Sequence, residues 1–391
     1  MLKIKFLVTI LLTILTFNLQ VEAKEIKPLF GIYKIVSNES SEFLNQSYTE
    51  IFLTSEAEKN YPKLGNAIKK YSEELKSNAK IIYEKYYKEA AEFQKEYPGE
   101  SRQFYNKNEI IIRRADSVVL SLMEMNEDYT GGVHGMYGYF GVNFDSESGK
   151  QLKISDVCDN NEKLLNAILT RLHEDYPQSP FADAEKYILK QIVEEKLNFT
   201  IEPDGISIYF NPYEIGCYAE GLFTATILFS EYPNLFKNKY FQLPKNYCQM
   251  LPLYNANILS FKRGIRNYIQ VTLDDKGNYK VLTGGGVAED QSGLEGIKPP
   301  VLVHLNGKNF LYVDGYIEGK GRQLHVYEVS DKKIELIYVL PYTFKNLGTK
   351  KYETWYLPTD PENISFDSLE KIGNTTNHSG AINDDGSFSF G

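Results

Sequence analysis

The chain has 391 residues, a formal charge of −9 at pH 7, and 30 tyrosines against one tryptophan. Its length leaves room for two domains, and beyond the N-terminus no apolar stretch approaches the span of a bilayer. The acidic balance carries no long basic block, which excludes the basic stripe that nucleic-acid binding needs.

The N-terminal "MLKIKFLVTILLTILTFNLQVEAKE" places Lys3 and Lys5 ahead of an apolar run from Phe6 to Phe17, followed by Val21-Glu22-Ala23. That order predicts a signal peptide over residues 1–23, cleaved after Ala23 so that the mature chain begins at Lys24. The apolar run is shorter than the roughly 18 residues a membrane anchor requires, and no cysteine near its end offers a site for a lipid. The expected mature protein is exported, periplasmic or extracellular, with no membrane contact after cleavage. In an oxidising compartment the three cysteines, Cys158, Cys217 and Cys248, allow one disulfide and one free thiol in any of three pairings. Following "ISDV", Cys158 reads as a small buried hydrophobe. The five histidines are scattered, with no HExxH and no Cys/His cluster, so neither a metal nor another cofactor is expected. His173, inside a helical pattern, reads as solvent-facing.

In chain order, "FGIYKIV" predicts a short strand, and residues 61–99 predict one long helix. There Leu64, Ile68, Tyr71, Leu75, Ala79, Ile82, Tyr86, Ala90, Phe93 and Tyr97 recur at three- and four-residue steps as one apolar stripe, closed by Pro98-Gly99. "IIIRRADSVVLSLMEMNEDY" reads as a strand with one buried face, because Val118, Leu120 and Leu122 alternate with Ser117, Val119 and Ser121. "YTGGVHG" separates it from "MYGYFGVNFD", and "DSESGK" reads as a hairpin turn. Asp159, with Glu162 three residues on, predicts a helix start. Ser179-Pro180 predicts a second helix with proline at its first position, running through "FADAEKYILKQIVEEKL". "NFTIEPDGISIYFN" is a hairpin turned at Pro203-Asp204-Gly205, and "GLFTATILFS" a buried strand. The expected class over residues 28–248 is α+β: an antiparallel sheet packed with one long and two shorter helices.

From 250 to 358 the helical periodicity stops and successive hairpins predict an all-β meander, one of them turned at Asn306-Gly307. "TGGGVAEDQSG", 283–293, reads as a mobile loop. The tail, 359–391, is polar and glycine-rich and is expected to be loosely attached or disordered.

Two functional readings compete for "YTGGVHG". A catalytic His134 needs an orienting partner, for which Glu127 or Asp128 are the neighbouring acids, and an anion cradle needs glycine amides at a helix N-terminus. Here the glycines stand between strands, and no GxSxG or Walker loop accompanies them. The motif, Tyr129, Gly131, Gly132, His134 and Gly135, is therefore read as architecture, with the glycines supplying positive φ or close backbone approach. In "YFNPYEIGCYAEGLF", Pro212, Gly216 and Gly221 break the strand pattern, which predicts an irregular projecting loop carrying Tyr213, Gly216 and Tyr218 as binding residues.

"YTGGVHGMYGYFGVNFDSESGKQLKISDV", the two helices after it and "FTIEPDGISIYFNPYEIGCYAEGLFTATI" together resemble the PdaC/RsiV-like extracytoplasmic family, over residues of about 30–240. The resemblance implies a companion part at 28–128 and a GGVHG-containing part at 129–248. In one branch of that family the module stands beside a peptidoglycan deacetylase domain; in another it is the lysozyme-binding part of an anti-sigma factor. This sequence departs from both: it has no "FDDGP"-type motif, and only five residues precede the apolar run. What the resemblance implies is an exported, non-enzymatic envelope protein that binds a wall-associated protein, such as a lysozyme-type hydrolase, or a peptidoglycan fragment or other glycan. The alternative is a cell-wall hydrolase or deacetylase-like enzyme using His134.

Overall fold

The computed structural model describes residues 25–100, 102–262, 264–274, 278–289, 292–342, 352–365 and 379–390. The expected signal peptide lies outside the described residues. The protein is mixed α+β, with mostly antiparallel strands and five α-helices among the described residues.

Strands β1 (Ile32–Ser40) and β2 (Leu44–Leu53) form a hairpin, then helices α1 (Ser55–Asn60) and α2 (Pro62–Glu96) cross over to β3 (Phe104–Ala115). Proline at the first turn of α2 surrenders an N–H that has no intrahelical partner there anyway. The long crossover makes β2–β3 a parallel pair, Leu44 opposite Phe104, within the sheet expected to be antiparallel. The single strand expected at 110–129 is the hairpin of β3 and β4 (Val119–Tyr129). Asp116 turns it, its Oδ1 accepting from the backbone N–H groups of Val118 (2.8 Å) and Val119 (3.0 Å). Val119 to Met123 are buried on both faces rather than one, because a second sheet packs behind them.

β5 (Met136–Asp145) completes one edge of the six-stranded sheet. Two short helices, α3 (Ile154–Val157) and α4 (Asn161–Asp175), follow; Asn160 caps α4, one residue after the expected start at Asp159, accepting from Lys163 N at 2.9 Å. The helix expected from Pro180 begins instead at Ala184, as α5 (Ala184–Val193). Phe181 holds a left-handed φ of 45° with its ring buried, a conformation no helix propagates. β6 (Phe199–Ile201), β7 (Gly205–Phe210) and β8 (Phe223–Leu228) form the expected hairpin and buried strand as a three-stranded sheet. Phe199, Ile206, Phe223 and Ile227 share a core with Leu164 and Ile168 of α4 and with Ile188 of α5.

The later region is all strands. β9 (Tyr247–Met250) joins the five-stranded sheet; β10 (Asn257–Lys262), β11 (Ile265–Leu273), β12 (Tyr279–Thr283) and β13 (Gly286–Glu289) form a four-stranded meander. β14 (Val301–Leu305), β15 (Lys308–Ile317), β16 (Gly321–Val329) and β17 (Ile334–Tyr342) complete the five-stranded sheet. Asn306 and Gly307 both have positive φ, 49° and 79°, as a two-residue hairpin turn that follows strand twist demands. The segment expected to be a mobile loop at 283–293 contains β13, paired with β12 from Thr283↔Gly286 to Lys280↔Glu289.

β18 (Tyr352–Tyr356) pairs with β1 and so adds a late strand to the edge of the first sheet. Within the tail, β19 (Ile364–Ser365), β20 (Ser379–Ile382) and β21 (Phe388–Phe390) form a small sheet. Ile364, Ile382 and Phe388 are buried in the core that Ile32 and Ile51 share with Val303, Phe310 and Leu324. These parts of the tail are thus anchored rather than loose. Cys158 and Cys248 are buried, Cys217 is exposed, and all three thiols are free, so none of the three allowed pairings is formed.

Candidate functional site: a polar cleft with an aromatic rim

Successive side chains of a strand alternate between faces, so Glu124, Asn126 and Asp128 of β4 share one face. The register places Asn108 opposite Asn126 and Asn106 opposite Asp128 on β3, and Gly138 opposite Asn126 on β5. Helix α2 crosses this face. Its first turns are buried through Leu64 and Ile68, and near its other end Ala90 and Phe93 pack with Phe104. Between these contacts Leu75, Asn78 and Ile82 stand over the polar ladder, leaving a cleft of about 460 Å³. That volume lies in the range of small-molecule sites.

The far wall is the loop after β7. Asn211 Oδ1 accepts from Tyr139 N at 2.8 Å, and Asn198 Nδ2 donates to Tyr139 O at 2.7 Å while its Oδ1 accepts from Gly141 N at 2.8 Å. These amides occupy the edge of β5 much as another strand would. They carry Pro212 and Glu214 around that edge into the cleft wall.

The polar groups are organised. Tyr71 Oη donates to Glu124 at 2.5 Å, and Asn108 Nδ2 donates to Glu124 Oε2 (3.3 Å) and to Asn126 Oδ1 (2.6 Å). Tyr86 Oη donates to Asp128 at 3.3 Å, and Gln46 Nε2 to Asn106 Oδ1 at 3.2 Å. Burial raises the carboxyl pKa of Glu124, Asp128 and Glu214 above the usual range, although the hydrogen bonds to each pull the other way. Tyr86 is pushed up to about 12, by burial first and then by Asp128. Glu127 is ion-paired with Lys107 at 3.8 Å and accepts from Tyr105 Oη at 2.8 Å. No lysine or arginine is among the described residues that line the cleft.

The motif glycines and His134 lie beside this cleft. Gly131 has φ 83°, and a Cβ there would meet the Phe104 ring at 2.8 Å; at Gly135 a Cβ would come within 2.7 Å of Asp128 O. Gly132 needs neither positive φ nor a close approach, unlike its expected role. Tyr129 stacks on Tyr105, centroids 5.9 Å apart. The His134 ring stacks on Tyr218 at 3.7 Å, and its Nδ1 lies 2.9 Å from Gly135 O, which also accepts from Tyr218 Oη at 2.6 Å. Among the described residues neither Glu127 nor Asp128 hydrogen-bonds to His134. Tyr213 lies 5.8 Å from Tyr218 and is 61% exposed with φ 74°, while Tyr137 meets Tyr218 edge-on at 6.1 Å. Gly216 is a packing position, where a Cβ would fall 2.6 Å from the Phe223 ring. Two of the three expected binding residues, Tyr213 and Tyr218, are thus gathered with His134 into one aromatic cluster, and Tyr137 joins it to the cleft.

Residues 155–230 match the family model described as protein of unknown function, DUF3298. That span holds α4, α5 and β6–β8 with the tyrosine loop, and it is compatible with the PdaC/RsiV-like resemblance. Among solved structures, a DUF3298 family member from Bacteroides fragilis is similar at 17% identity and TM-score 0.41, over 55% of this chain and 96% of that one. A DUF3298 family protein from Pseudomonas aeruginosa is similar at 14% identity and TM-score 0.34, over 55% of this chain and 97% of that one. No curated protein matches the chain in sequence.

The cleft residues Glu124, Asn126, Asn106, Asn108 and Asn78 escape a motif-based reading. All five lie in elements that read as ordinary amphipathic structure, and polar residues at every second strand position look like a solvent face. The available signal is that two adjacent strands, "YNKNE" and "EMNED", both alternate polar residues beneath a helix long enough to cover them. No described helix is long and apolar enough to cross a membrane, and the described residues hold no cluster of three or more His, Cys, Asp or Glu fit for a metal.

Proposed function

We propose that this is an exported, non-enzymatic cell-envelope protein whose DUF3298-containing module binds a wall-associated ligand, a lysozyme-type hydrolase or a glycan, at the tyrosine rim and its adjoining cleft. The observation that carries the reading is Tyr213. A bulky residue with φ of 74° costs on the order of 1 kcal/mol or more in backbone strain, yet its ring is 61% exposed and returns little core packing. Tyrosine presented in that way suits a contact surface: large, rigid and polar at its tip. Export rests on the charged start, the short apolar run and Val21-Glu22-Ala23. The hydrolase alternative has less support, since His134 faces a carbonyl and a tyrosine ring rather than an orienting acid.

Pull-down from envelope fractions supplemented with lysozyme, using the parent and Tyr213→Ala, tests this. The parent should retain a wall-associated ligand that Tyr213→Ala loses at unchanged melting temperature. Equal capture by both, or by neither, would remove the rim from consideration.

A further inference from the structure

We infer that the pocket between the β1–β18 edge of the first sheet and the five-stranded sheet is a binding site for a compact apolar monocarboxylate, a body of one ring's bulk with a single acid group. The site lies apart from the tyrosine rim and does not depend on the wall-ligand reading. Glu50, opposite Ile35, reaches Lys76 of α2 at 3.5 Å, so Lys34 and Val36, one residue to either side of Ile35, stand on the face turned away from that helix. There they line the pocket together with Met250, Tyr312, Leu324 and Leu357.

Three observations select the class. The first is size. The pocket holds about 210 Å³, against the ~150 Å³ of an apolar cavity that takes benzene, which leaves room for one ring and a short acid arm. The second is the wall. Met250, Tyr312, Leu324 and Leu357 are each more than nine-tenths buried, and the Tyr312 hydroxyl is engaged with Gly386 O at 2.6 Å, so these residues offer the ligand apolar surface. The third is the placing of charge. Lys34 is 8% exposed, and its Nζ has one hydrogen-bond partner among the described residues, Glu109 Oε1 at 3.0 Å. An ammonium carries three donors, so two remain for the occupant, and a carboxylate is the acceptor that binds them most strongly. Trp355 stands opposite Lys34 in the β1–β18 register, and Lys298 Nζ lies 3.3 Å from the centre of its ring. Two ammonium groups thus flank one indole. The carboxylates of the lining are already engaged, Glu109 by Lys34 and Asp314 by Arg322 at 2.8 Å. A cationic ligand would bring a third like charge beside Trp355.

Trp355 is the one tryptophan of the chain, so its emission reports on this pocket. The test is fluorescence titration of the full chain with phenylacetate, and with acetate, benzyl alcohol and benzylamine, which lack the ring, the charge and the sign of the charge in turn. Phenylacetate should give a saturable change, and each of the other three should bind at least about tenfold more weakly. Lys34→Met removes the buried ammonium and leaves behind Glu109, whose side chain is 43% exposed; Lys298→Met does the same at a side chain 33% exposed, where folding is not at stake. Each should weaken phenylacetate about tenfold and leave benzyl alcohol unchanged. The proposal falls if phenylacetate gives no saturable change, if any of the other three compounds binds as tightly, or if both lysine variants bind phenylacetate like the parent.

Discussion

His134 and Tyr218 lie ring on ring, 3.7 Å between centroids and 17° between planes, and both turn a polar atom to the same carbonyl, that of Gly135. The pair ties the turn between β4 and β5 to the loop after β7, across the edge of the six-stranded sheet. A histidine so held braces a loop. Its ring stacks on the tyrosine and its Nδ1 bonds, among the described residues, only the neighbouring Gly135 carbonyl, while the Tyr218 hydroxyl supplies the hydrogen bond that spans the two loops.

Tyr218→Phe should therefore cost about 1 kcal/mol, the net value of one hydrogen bond, while His134→Ala, at an exposed position, should cost less than that. Thermal melts of the two variants beside the parent check the order. A loss at His134 exceeding that at Tyr218 would assign the bracing to the imidazole.

Gly131 and Gly132 should separate cleanly. At Gly131 any side chain must adopt φ near 83° and displace the Phe104 ring, so Gly131→Ala is expected to lose on the order of 1 kcal/mol or more. Gly132 has no atom nearer than 3.8 Å to a Cβ and no positive φ, so Gly132→Ala should melt within about 0.5 kcal/mol of the parent. Equal losses at both would contradict the turn geometry.

Elements whose signal is local were legible in the sequence. The stripe from Leu64 to Phe93 marked α2, and Asn306-Gly307 marked its hairpin, because helical period and turn chemistry need no knowledge of the partner. Features decided by tertiary neighbours were not. β2 reads as polar because its sequence, "LNQSYTEIFL", pairs in parallel with β3 and buries Gln46 and Thr49 through hydrogen bonds to Ala79 and Asn108. Pro180 suggested a helix start that the burial of Phe181 overrides. The loop of Tyr213 and Tyr218 was found from its strand breakers, but the cleft it borders was not, since a polar face under a helix is indistinguishable from a wet one until the helix is placed.

Arg113 and Glu202 should show strong coupling. Arg113 Nε and Nη2 donate to the two carboxylate oxygens at 3.1 and 2.7 Å, with 3% and 4% of the side chains exposed. Gln249, Thr200 and Tyr209 also donate to Glu202, and Arg113 Nη1 donates to Met250 O, so the pair joins the first sheet to β6, β7 and β9. Arg113→Met strands a buried carboxylate and should cost about 3–5 kcal/mol. The double variant Arg113→Met/Glu202→Leu should recover part of that loss. Urea midpoints of the two single variants and the double one measure the coupling, and strict additivity would show that the pair is not energetically joined.

Asp204 makes stability depend on pH in a direction opposite to that of an ordinary paired carboxylate. It sits in the β6–β7 turn, half-buried, accepting from Ser260 N at 3.0 Å, and its pKa is raised to about 6. Burial is the main cause. Glu202 adds to it, while the Ser260 hydrogen bond, His304 and Arg114 oppose it. Between about pH 4, where an unfolded aspartate titrates, and about pH 6, the folded chain holds a proton that the unfolded chain has released. Folding stability contributed at this site therefore falls as pH rises through that window, and the penalty is complete above it. Asp204→Asn keeps an acceptor for Ser260 N and carries no charge to bury. It should stabilise the protein by on the order of 2 kcal/mol at pH 7, with the gain shrinking as pH falls and vanishing near pH 4. Melting the parent and Asp204→Asn across pH 4–7.5 measures the difference; a gain that stayed constant with pH would mean that the substitution acts through packing, and a loss at pH 7 would mean that the buried charge is compensated.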